Sequence, residues 1–253
     1  MKKNFTADRR NQLAQIIISQ GHITVNEASK KFGVSTETIR KDLIYLENEG
    51  VAKKSYGGAI PASESLEKPA VQKQTENASI KNQIALQALQ YVPAIGTIII
   101  DSGTTTLALA KLLKVESGLT IFTNSSAAFH ELAESENQVY IFGGRVRASS
   151  LAVVGQWANE QIRSIKADVV FIGTDGFKGF SGPATMSFEE TEVKSNMLKA
   201  GNTSVVLTDS SKFNASSSFQ FGNWSEIDTL ITDSNIAQED LDRVSTETNV
   251  VRI

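Results

Sequence analysis

The chain has 253 residues, of which 40% are hydrophobic and 21% charged, a composition typical of globular proteins with one large domain or two unequal ones. It has no cysteine, which excludes a disulfide framework, a thiolate metal site and a cysteine nucleophile. Only two histidines are present, His22 and His130, so a multi-histidine metal site is not expected either. We expect neither a metal nor a cofactor.

The formal net charge of −3 is unevenly distributed along the chain. Residues 1–60 carry ten basic and six acidic side chains, a net +4, whereas residues 61–253 carry 15 and 22, a net −7. Such asymmetry indicates that only the first part meets a polyanion, although a solvated basic surface would give the same count. The first 25 residues lack the apolar core of a secretory signal, and no apolar run could span a bilayer. We therefore expect a cytoplasmic protein with no membrane partner.

The first 60 residues predict three helices followed by a hairpin. Residues 8–19 place apolar side chains at helical spacing. Thr24, followed three residues later by Glu27, is the pattern of a capping box and predicts a second helix that ends at Gly33. Ser35 can cap a third helix, because its hydroxyl can accept from the free amides of the first turn.

The third helix combines an apolar stripe with a polar, partly basic face. A short helix, a tight turn and a longer helix form the geometry that places one helix in a DNA major groove. Arg40 can make bidentate contacts to a base edge or a phosphate, whereas Asp42 is expected to pair with a neighbouring cation. Residues 51–60 predict a hairpin wing whose lysines lie along phosphates. The residues expected to contact DNA are Ser35, Thr36, Glu37, Thr38, Arg40, Lys41, Tyr45, Lys53, Lys54 and Tyr56.

The pattern Ser-x-x-Thr-Ile-Arg-x-Asp-Leu stands from Ser35 to Leu43, and the expected wing ends in Gly57-Gly58. These motifs resemble the winged helix-turn-helix of the DeoR family of bacterial transcription regulators. The resemblance implies that residues 1–60 bind double-stranded operator DNA. A polar stretch with two prolines, residues 61–79, reads as a linker.

Residues 80–253 alternate apolar, β-branched strands with helices. This order predicts a mostly parallel sheet covered on both faces, an α/β fold. Hydroxyl-bearing residues and glycines collect where strands end, as in residues 102–106, 123–126 and 173–176. In open α/β sheets ligands bind at the carboxyl ends of the strands, and free amides there attract anions. Because no Walker A or dinucleotide fingerprint is present, a small phosphorylated metabolite is the favoured ligand.

The second half also resembles the sensor domain of the DeoR family, in the segments DSGTTT, FTNS, FGGRVR, DVVFIGTDGF and LTDSSKF. That resemblance implies a fold similar to ribose-5-phosphate isomerase and the coenzyme A transferases, and binding of a phosphorylated sugar or polyol. The phosphate is expected on Ser102, Gly103, Thr104, Thr105 and Thr106. The sugar is expected to meet Thr123, Asn124, Gly144, Asp175, Glu189, Lys194 and Lys212.

Two functions follow as alternatives. The first is a repressor of sugar or polyol catabolism genes that acts as a homo-oligomer, a dimer or a tetramer, and responds to a phosphorylated sugar. The second is a sugar-phosphate isomerase with an attached DNA-binding module, in which Asp175 or Glu189 serves as the base. The glycine-rich loop that isomerases use around their base has no counterpart here, and a shared fold does not imply activity. The sequence therefore favours a regulator without enzymatic activity.

Overall fold

The computed structural model describes residues 5–20, 22–49, 51–55, 57–61 and 68–253. The chain divides into two compact units, residues 1–68 and 69–253. Within the described residues, no helix is both long and apolar enough to cross a membrane.

The first unit is a three-helix bundle with a small antiparallel sheet. Its elements are α1 (Phe5–Gln20), β1 (Ile23–Thr24), α2 (Val25–Phe32), α3 (Thr36–Asn48), β2 (Ala52–Ser55) and β3 (Gly58–Pro61). Leu13 and Ile17 of α1 pack with Ala28, Ile39 and Leu43 in one buried cluster. The winged helix-turn-helix expected from the sequence is confirmed.

Local signals set the ends of α2 and α3. The Thr24 hydroxyl accepts from the Glu27 amide at 3.2 Å, and the Glu27 carboxylate accepts from the Thr24 amide at 2.9 Å, which completes the capping box. Gly33 ends α2 in the left-handed conformation, with a φ of 63°, which glycine adopts without a steric cost. Ser35 then caps α3 by accepting from the Thr38 amide at 3.1 Å.

The wing depends on two consecutive glycines. The three strands lie in the order β1-β3-β2, all antiparallel. Gly57 has a φ of +76°, and a Cβ on Gly58 would lie 2.1 Å from the carbonyl oxygen of Ile23. A side chain at Gly58 would therefore separate β1 from β3.

The second unit is an α/β domain. Its elements are α4 (Ala70–Thr75), α5 (Ala78–Ala88), β4 (Gly96–Ile100), α6 (Thr104–Leu113), β5 (Leu119–Thr123), α7 (Ser126–Leu132), β6 (Gln138–Ile141), β7 (Arg145–Val146), β8 (Val153–Val154), α8 (Gln156–Arg163), β9 (Ala167–Gly173), β10 (Ala184–Thr185), α9 (Phe188–Ala200), β11 (Gly201–Leu207), β12 (Phe219–Gln220), β13 (Thr229–Thr232), α10 (Gln238–Ser245) and β14 (Asn249–Arg252).

A seven-stranded parallel sheet forms the centre of this unit, in the order β14-β13-β11-β9-β4-β5-β6. The central strands are buried on both faces, and two apolar clusters cover the two sides. The predicted mostly parallel α/β fold is confirmed. The chain leaves β4 toward β5 and leaves β9 toward β11, so the strand order reverses between β4 and β9. Ligands of open α/β sheets bind at such a switch point, outside the carboxyl ends of the strands.

The second unit begins within residues 61–79, the stretch expected to form a linker. The second unit begins at Pro69, and residues 70–75 and 78–79, assigned to the linker, belong to helices α4 and α5. Residues 62–67 of the predicted linker lie outside the described residues.

Candidate functional site

The first unit presents α3 with a polar, exposed face. The side chains of Glu37 and Arg40 are 65% and 60% exposed and approach each other to 3.6 Å, and Lys41 is exposed as well. Exposed ion pairs of this kind contribute little to stability, so Arg40 can exchange Glu37 for another anion at small cost. The arrangement leaves a helix that can offer a planar guanidinium to a base edge or a phosphate.

Three of the predicted contact residues, Ser35, Thr38 and Lys54, make bonds within the first unit. The Ser35 hydroxyl caps α3 and lies 2.9 Å from the Thr38 hydroxyl. Lys54 of the wing donates its amide to Glu47 at 3.1 Å, and its ammonium lies 3.1 Å from the same carboxylate, which ties the wing to α3. Thr36 is half-buried and Lys53 is exposed, while Tyr56 lies outside the described residues.

Asp42 joins α1 to α3, as the pairing predicted from the sequence requires. It is 1% exposed and accepts from Arg9 at 2.6 Å and from Arg10 at 2.8 Å. Burial raises the pKa of the Asp42 carboxyl, but the bonds to Arg9 and Arg10 more than offset this effect and lower the pKa below its usual value. The Arg10 guanidinium also lies 4.0 Å from the ring centre of Tyr45, which orients this aromatic side chain. Asp42 therefore positions the exposed face of α3.

In the second unit, polar groups collect at the switch point. The predicted effector residues found there, at the carboxyl ends of β4, β5 and β9, are Ser102, Gly103, Thr104, Thr105, Thr106, Thr123, Asn124, Asp175 and Lys194. The backbones that follow β4 and β9 are neighbours here, and a Cβ on Gly103 would be in van der Waals contact with the Cα of Gly173, at 3.8 Å.

Residues 104–106 form the first turn of α6. Gly103 occupies the N-cap without a side chain, and the first backbone bond of the helix runs from Leu107 to Gly103. The amides of the first turn precede that bond, so they have no partner within the helix. This N-terminus, with its partial positive charge, faces the switch point and suits an anionic group.

Several hydroxyl and amide side chains support this turn rather than line it. Thr106 donates to the Asp101 carbonyl at 2.7 Å, and Thr123 donates to the Ile100 carbonyl at 2.6 Å. The Asn124 side-chain oxygen accepts from the Ser102 amide at 2.7 Å. The bonds of Thr123 and Asn124 cross from the end of β5 to the end of β4, and together with the Thr106 bond they fix the backbone that follows β4.

A buried cluster of charged residues lies beside it. Lys194 is 3% exposed, donates to the Gly173 carbonyl at 3.1 Å and forms an ion pair with Asp101. Asp101 was not among the residues predicted from the sequence. Burial lowers the pKa of Lys194, but the carboxylates of Asp101 and Glu190 more than compensate and raise it. The ammonium therefore stays charged inside the protein.

Two carboxylates share one hydroxyl in the same cluster. Thr185 donates to Asp175 at 2.9 Å and lies 3.4 Å from Glu190. Glu190 is 3% exposed and is paired with Arg147, whereas the predicted residue Glu189 is 44% exposed and pairs with Arg145. The structure does not bring Glu189 together with the other predicted residues.

The remaining predicted residues have other surroundings. A Cβ on Gly144 would lie 2.5 Å from the carbonyl oxygen of Val154, so this glycine serves the contact between β7 and β8. Lys212 is half-buried in a turn after β11, where Asp209 accepts from Ser211 and from Asn77 at 3.1 Å.

Lysines of the helices before β4 were also missed by the sequence analysis. Lys81 of α5 is 5% exposed and donates to the carbonyls of Lys73 and Glu76. Burial lowers the pKa of Lys81 to about 8. A cleft of about 190 Å³ between α5 and α6 is lined by Lys81, Lys111 and Thr104, among others. No periodic signal marks Lys81, because a buried lysine occupies the same face of α5 as Ile84 and Ala88.

Comparisons with known proteins give the family. The DeoR-like helix-turn-helix domain matches residues 9–65, and the DeoR C terminal sensor domain matches residues 76–234. The chain belongs to the DeoR family. The HTH-type transcriptional regulator GolR of Listeria innocua is 35% identical to it over 92% of each chain. GlpR of Haloferax volcanii, also an HTH-type transcriptional regulator, is 31% identical over 91% of each chain, and the glycerol-3-phosphate regulon repressor of Escherichia coli is 26% identical over 89% of this chain and 90% of that one.

This DeoR-family protein is a DNA-binding transcriptional regulator. Its relatives are named as regulators and repressors rather than as enzymes, so the isomerase alternative is not favoured. A solved ribose 5-phosphate isomerase from Methanocaldococcus jannaschii matches 55% of each chain with 17% identity and a TM-score of 0.40.

Proposed function

We propose that this regulator represses genes of sugar or polyol catabolism and that a phosphorylated sugar or polyol, bound at the switch point of the second unit, controls it. The N-terminus of α6 supports the proposal most strongly. Gly103 leaves the first-turn amides open, and the helix begins beside the buried cations Lys81 and Lys194. The repressor from E. coli named for a glycerol-3-phosphate regulon agrees with this ligand class.

The charges of the proposed site indicate which residues bind the phosphate and which bind the sugar. The phosphate binds the first turn of α6, where amides and the hydroxyls of Thr104 and Thr105 can donate to it. The hydroxyls of the sugar face the carboxylate of Asp175, which accepts hydrogen bonds. Lys194 holds Asp101 and the end of β9 in place from beneath.

In the first unit, we propose that Arg40 reads operator DNA and that Lys41, Lys53 and Lys54 bind phosphates. The exposure of Arg40 and Lys41 on α3 supports this assignment. Operators with two half-sites match two recognition helices related by a two-fold axis, so we further propose that the protein is a homo-oligomer, a dimer or a tetramer. We also propose that it acts in the cytoplasm.

Thermal shift against phosphorylated sugars and polyols, with glycerol 3-phosphate, ribose 5-phosphate, fructose 1-phosphate and glucose 6-phosphate as probes, tests the ligand class. A bound ligand raises the melting temperature by mass action. The unphosphorylated counterparts serve as controls. A panel without a single phosphate-dependent shift would refute the ligand class.

Two substitutions test the proposed functions of the two units independently. Arg40→Ala is expected to weaken operator binding in a footprinting titration and to leave the ligand-induced shift intact. Thr105→Glu is expected to do the reverse, because a carboxylate in the first turn of α6 repels phosphate. Loss of both activities in Arg40→Ala would contradict the assignment of the units, and an unchanged shift in Thr105→Glu would remove this turn from the site.

A further inference from the structure

Helix α4 has little of its own to keep it folded. It has six residues, its N-cap Pro69 offers no side-chain cap, and none of its residues is fully buried. A helix this short does not persist in water without tertiary contacts. Its position must therefore be fixed by specific partners.

The Ala70 amide donates to the Ser149 carbonyl at 2.7 Å, and the other described partners lie at the proposed ligand site. The ammonium of Lys73 lies 2.7 Å from Oδ1 of Asp175, just beyond β9. Lys81 donates to the carbonyls of Lys73 and Glu76 at the end of the helix, and Asn77 donates to Asp209, just beyond β11, at 3.1 Å. The segment from α4 to α5 is thus fastened across the carboxyl ends of β9 and β11 by polar contacts.

Asp175 is the contact that a ligand can take. Its Oδ2 accepts from the Thr185 hydroxyl at 2.9 Å and from the Met186 amide at 3.1 Å, which fixes the carboxylate in place. Its Oδ1 accepts from Lys73. Burial raises the pKa of Asp175, but the ammonium of Lys73 and these bonds lower it well below its usual value, so the group is a permanent acceptor. A sugar hydroxyl that donates to Oδ1 must compete with Lys73.

We propose that the Lys73–Asp175 ion pair is a latch: it holds α4 on the second unit until a hydroxyl of the bound effector replaces Lys73 on Asp175. This inference rests on the proposed effector site and adds how that site is read out. In the chain, α4 is the first helix after the DNA-binding unit, so its release changes the segment that leads to that unit.

The latch makes two opposite predictions for Lys73→Met, which keeps the apolar stem and removes the charge. A competitor for Asp175 is lost, so the effector should bind more tightly, by ~5-fold, since the latched state no longer reduces its apparent affinity. At the same time α4 is already released in this variant, so the effector should change operator binding less. The ratio of the operator affinity without effector to that with effector should therefore fall toward one. A lysine that instead held the phosphate would give weaker effector binding.

The experiment uses the full-length protein, with Lys114→Met as the matched control. Lys114 is an exposed lysine in an ion pair with Glu134 at 3.6 Å, and it follows the far end of α6. Hydrogen exchange of the amides of residues 70–75 is measured first without any ligand. We expect Lys73→Met, but not Lys114→Met, to speed exchange in this segment at least tenfold and to leave β4 and β9 protected.

Exchange is then measured in the wild type with whichever of the four phosphorylated probes gives the largest thermal shift. We expect this probe to speed exchange of residues 70–75 and to do nothing further in Lys73→Met. Unchanged exchange in ligand-free Lys73→Met, or added protection of α4 by the probe, overturns the latch while the effector site stands. If none of the probes shifts the wild type, the proposed ligand class fails, and the ligand-free exchange still decides whether Lys73 holds α4.

Discussion

The side-chain oxygen of Asn124 accepts the backbone amide of Ser102 at 2.7 Å, across the carboxyl ends of two neighbouring strands. Both residues were expected to touch a ligand, and the bond assigns Asn124 a supporting role as well. Asn124 is 1% exposed, so the Ser102 amide has no access to water as a substitute. The backbone that leads into α6 thus depends on a side chain that follows the neighbouring strand, β5.

Two substitutions of Asn124 distinguish its contribution to the stability of the fold from its effect on effector binding. Asn124→Ala leaves the Ser102 amide unpaired and should lower the free energy of unfolding by about 2 kcal/mol. Asn124→Asp keeps the acceptor but places a negative charge beside the proposed phosphate, so it should weaken effector binding more than it weakens the fold. Urea denaturation and ligand titration measure the two effects. Equal loss of stability in both variants would show that the acceptor oxygen is not what matters.

Asp42 supplies the second prediction. Asp42→Asn removes the buried charge that pairs with Arg9 and Arg10 and should destabilise the first unit by about 2 kcal/mol, because both guanidinium groups then lose their partner. Calorimetry of the full chain measures the transition of this unit. Glu37→Gln is the control, since its ion pair with Arg40 is exposed and worth little. If the melting temperature of the first unit fell equally in Asp42→Asn and Glu37→Gln, the role of Asp42 would be contradicted.

The pH dependence of this contribution has a definite sign. Because the pKa of Asp42 is lowered in the folded state, its contribution is complete above the pKa of the unfolded chain and is lost as the pH falls through the folded value. Asp42→Asn should therefore differ most from the wild type near neutral pH and least in acid.

Short-range signals made much of this fold predictable. The capping box of Thr24 and Glu27 and the cap at Ser35 each join residues three positions apart, so the sequence alone contains both partners. Parallel strands were equally visible as apolar runs, and the ends of those strands located the candidate ligand site.

The interior of the site was less predictable, for two physical reasons. Lys73 and Asp175 are 102 positions apart, and the partner of a polar side chain at that distance depends on the completed topology. At the start of α9, neighbouring residues point about 100° apart, so an error of one position exchanges the partly exposed Glu189 for the buried Glu190. Glu190 was therefore missed although its neighbour was chosen.

Gly58 provides a test confined to the wing. A Cβ there would lie 2.1 Å from the Ile23 carbonyl oxygen, so Gly58→Ala should displace β3 from β1 and weaken operator binding at least tenfold. Gly57→Asn is the matched control, because Asn tolerates the positive φ of +76° and a Cβ at that position meets nothing within 4 Å. Footprinting measures DNA binding, and the effector-induced thermal shift should be the same in both variants. Operator binding that survives in Gly58→Ala would exclude the wing from the interface.

Lys81 gives a prediction in alkaline solution. Its pKa is about 8 in the folded protein, against an ordinary value of 10.5, so between these two values the unfolded chain binds more protons than the folded one. The free energy of unfolding contributed by this group should then rise with pH across that window, by about 1 kcal/mol per pH unit. Lys81→Met should remove the rise, because methionine fills the space without titrating.

Urea denaturation at pH 7, 9 and 10 measures this effect as the difference in unfolding free energy between the wild type and Lys81→Met. Lys111→Met is the control, since Lys111 lines the same cleft but is 45% exposed and should leave the pH dependence unchanged. A difference between the wild type and Lys81→Met that stays constant over this range, or falls as the pH rises, would mean that Lys81 keeps its proton. In that case the ammonium, and not a neutral amine, would donate to the carbonyls of Lys73 and Glu76 throughout the range.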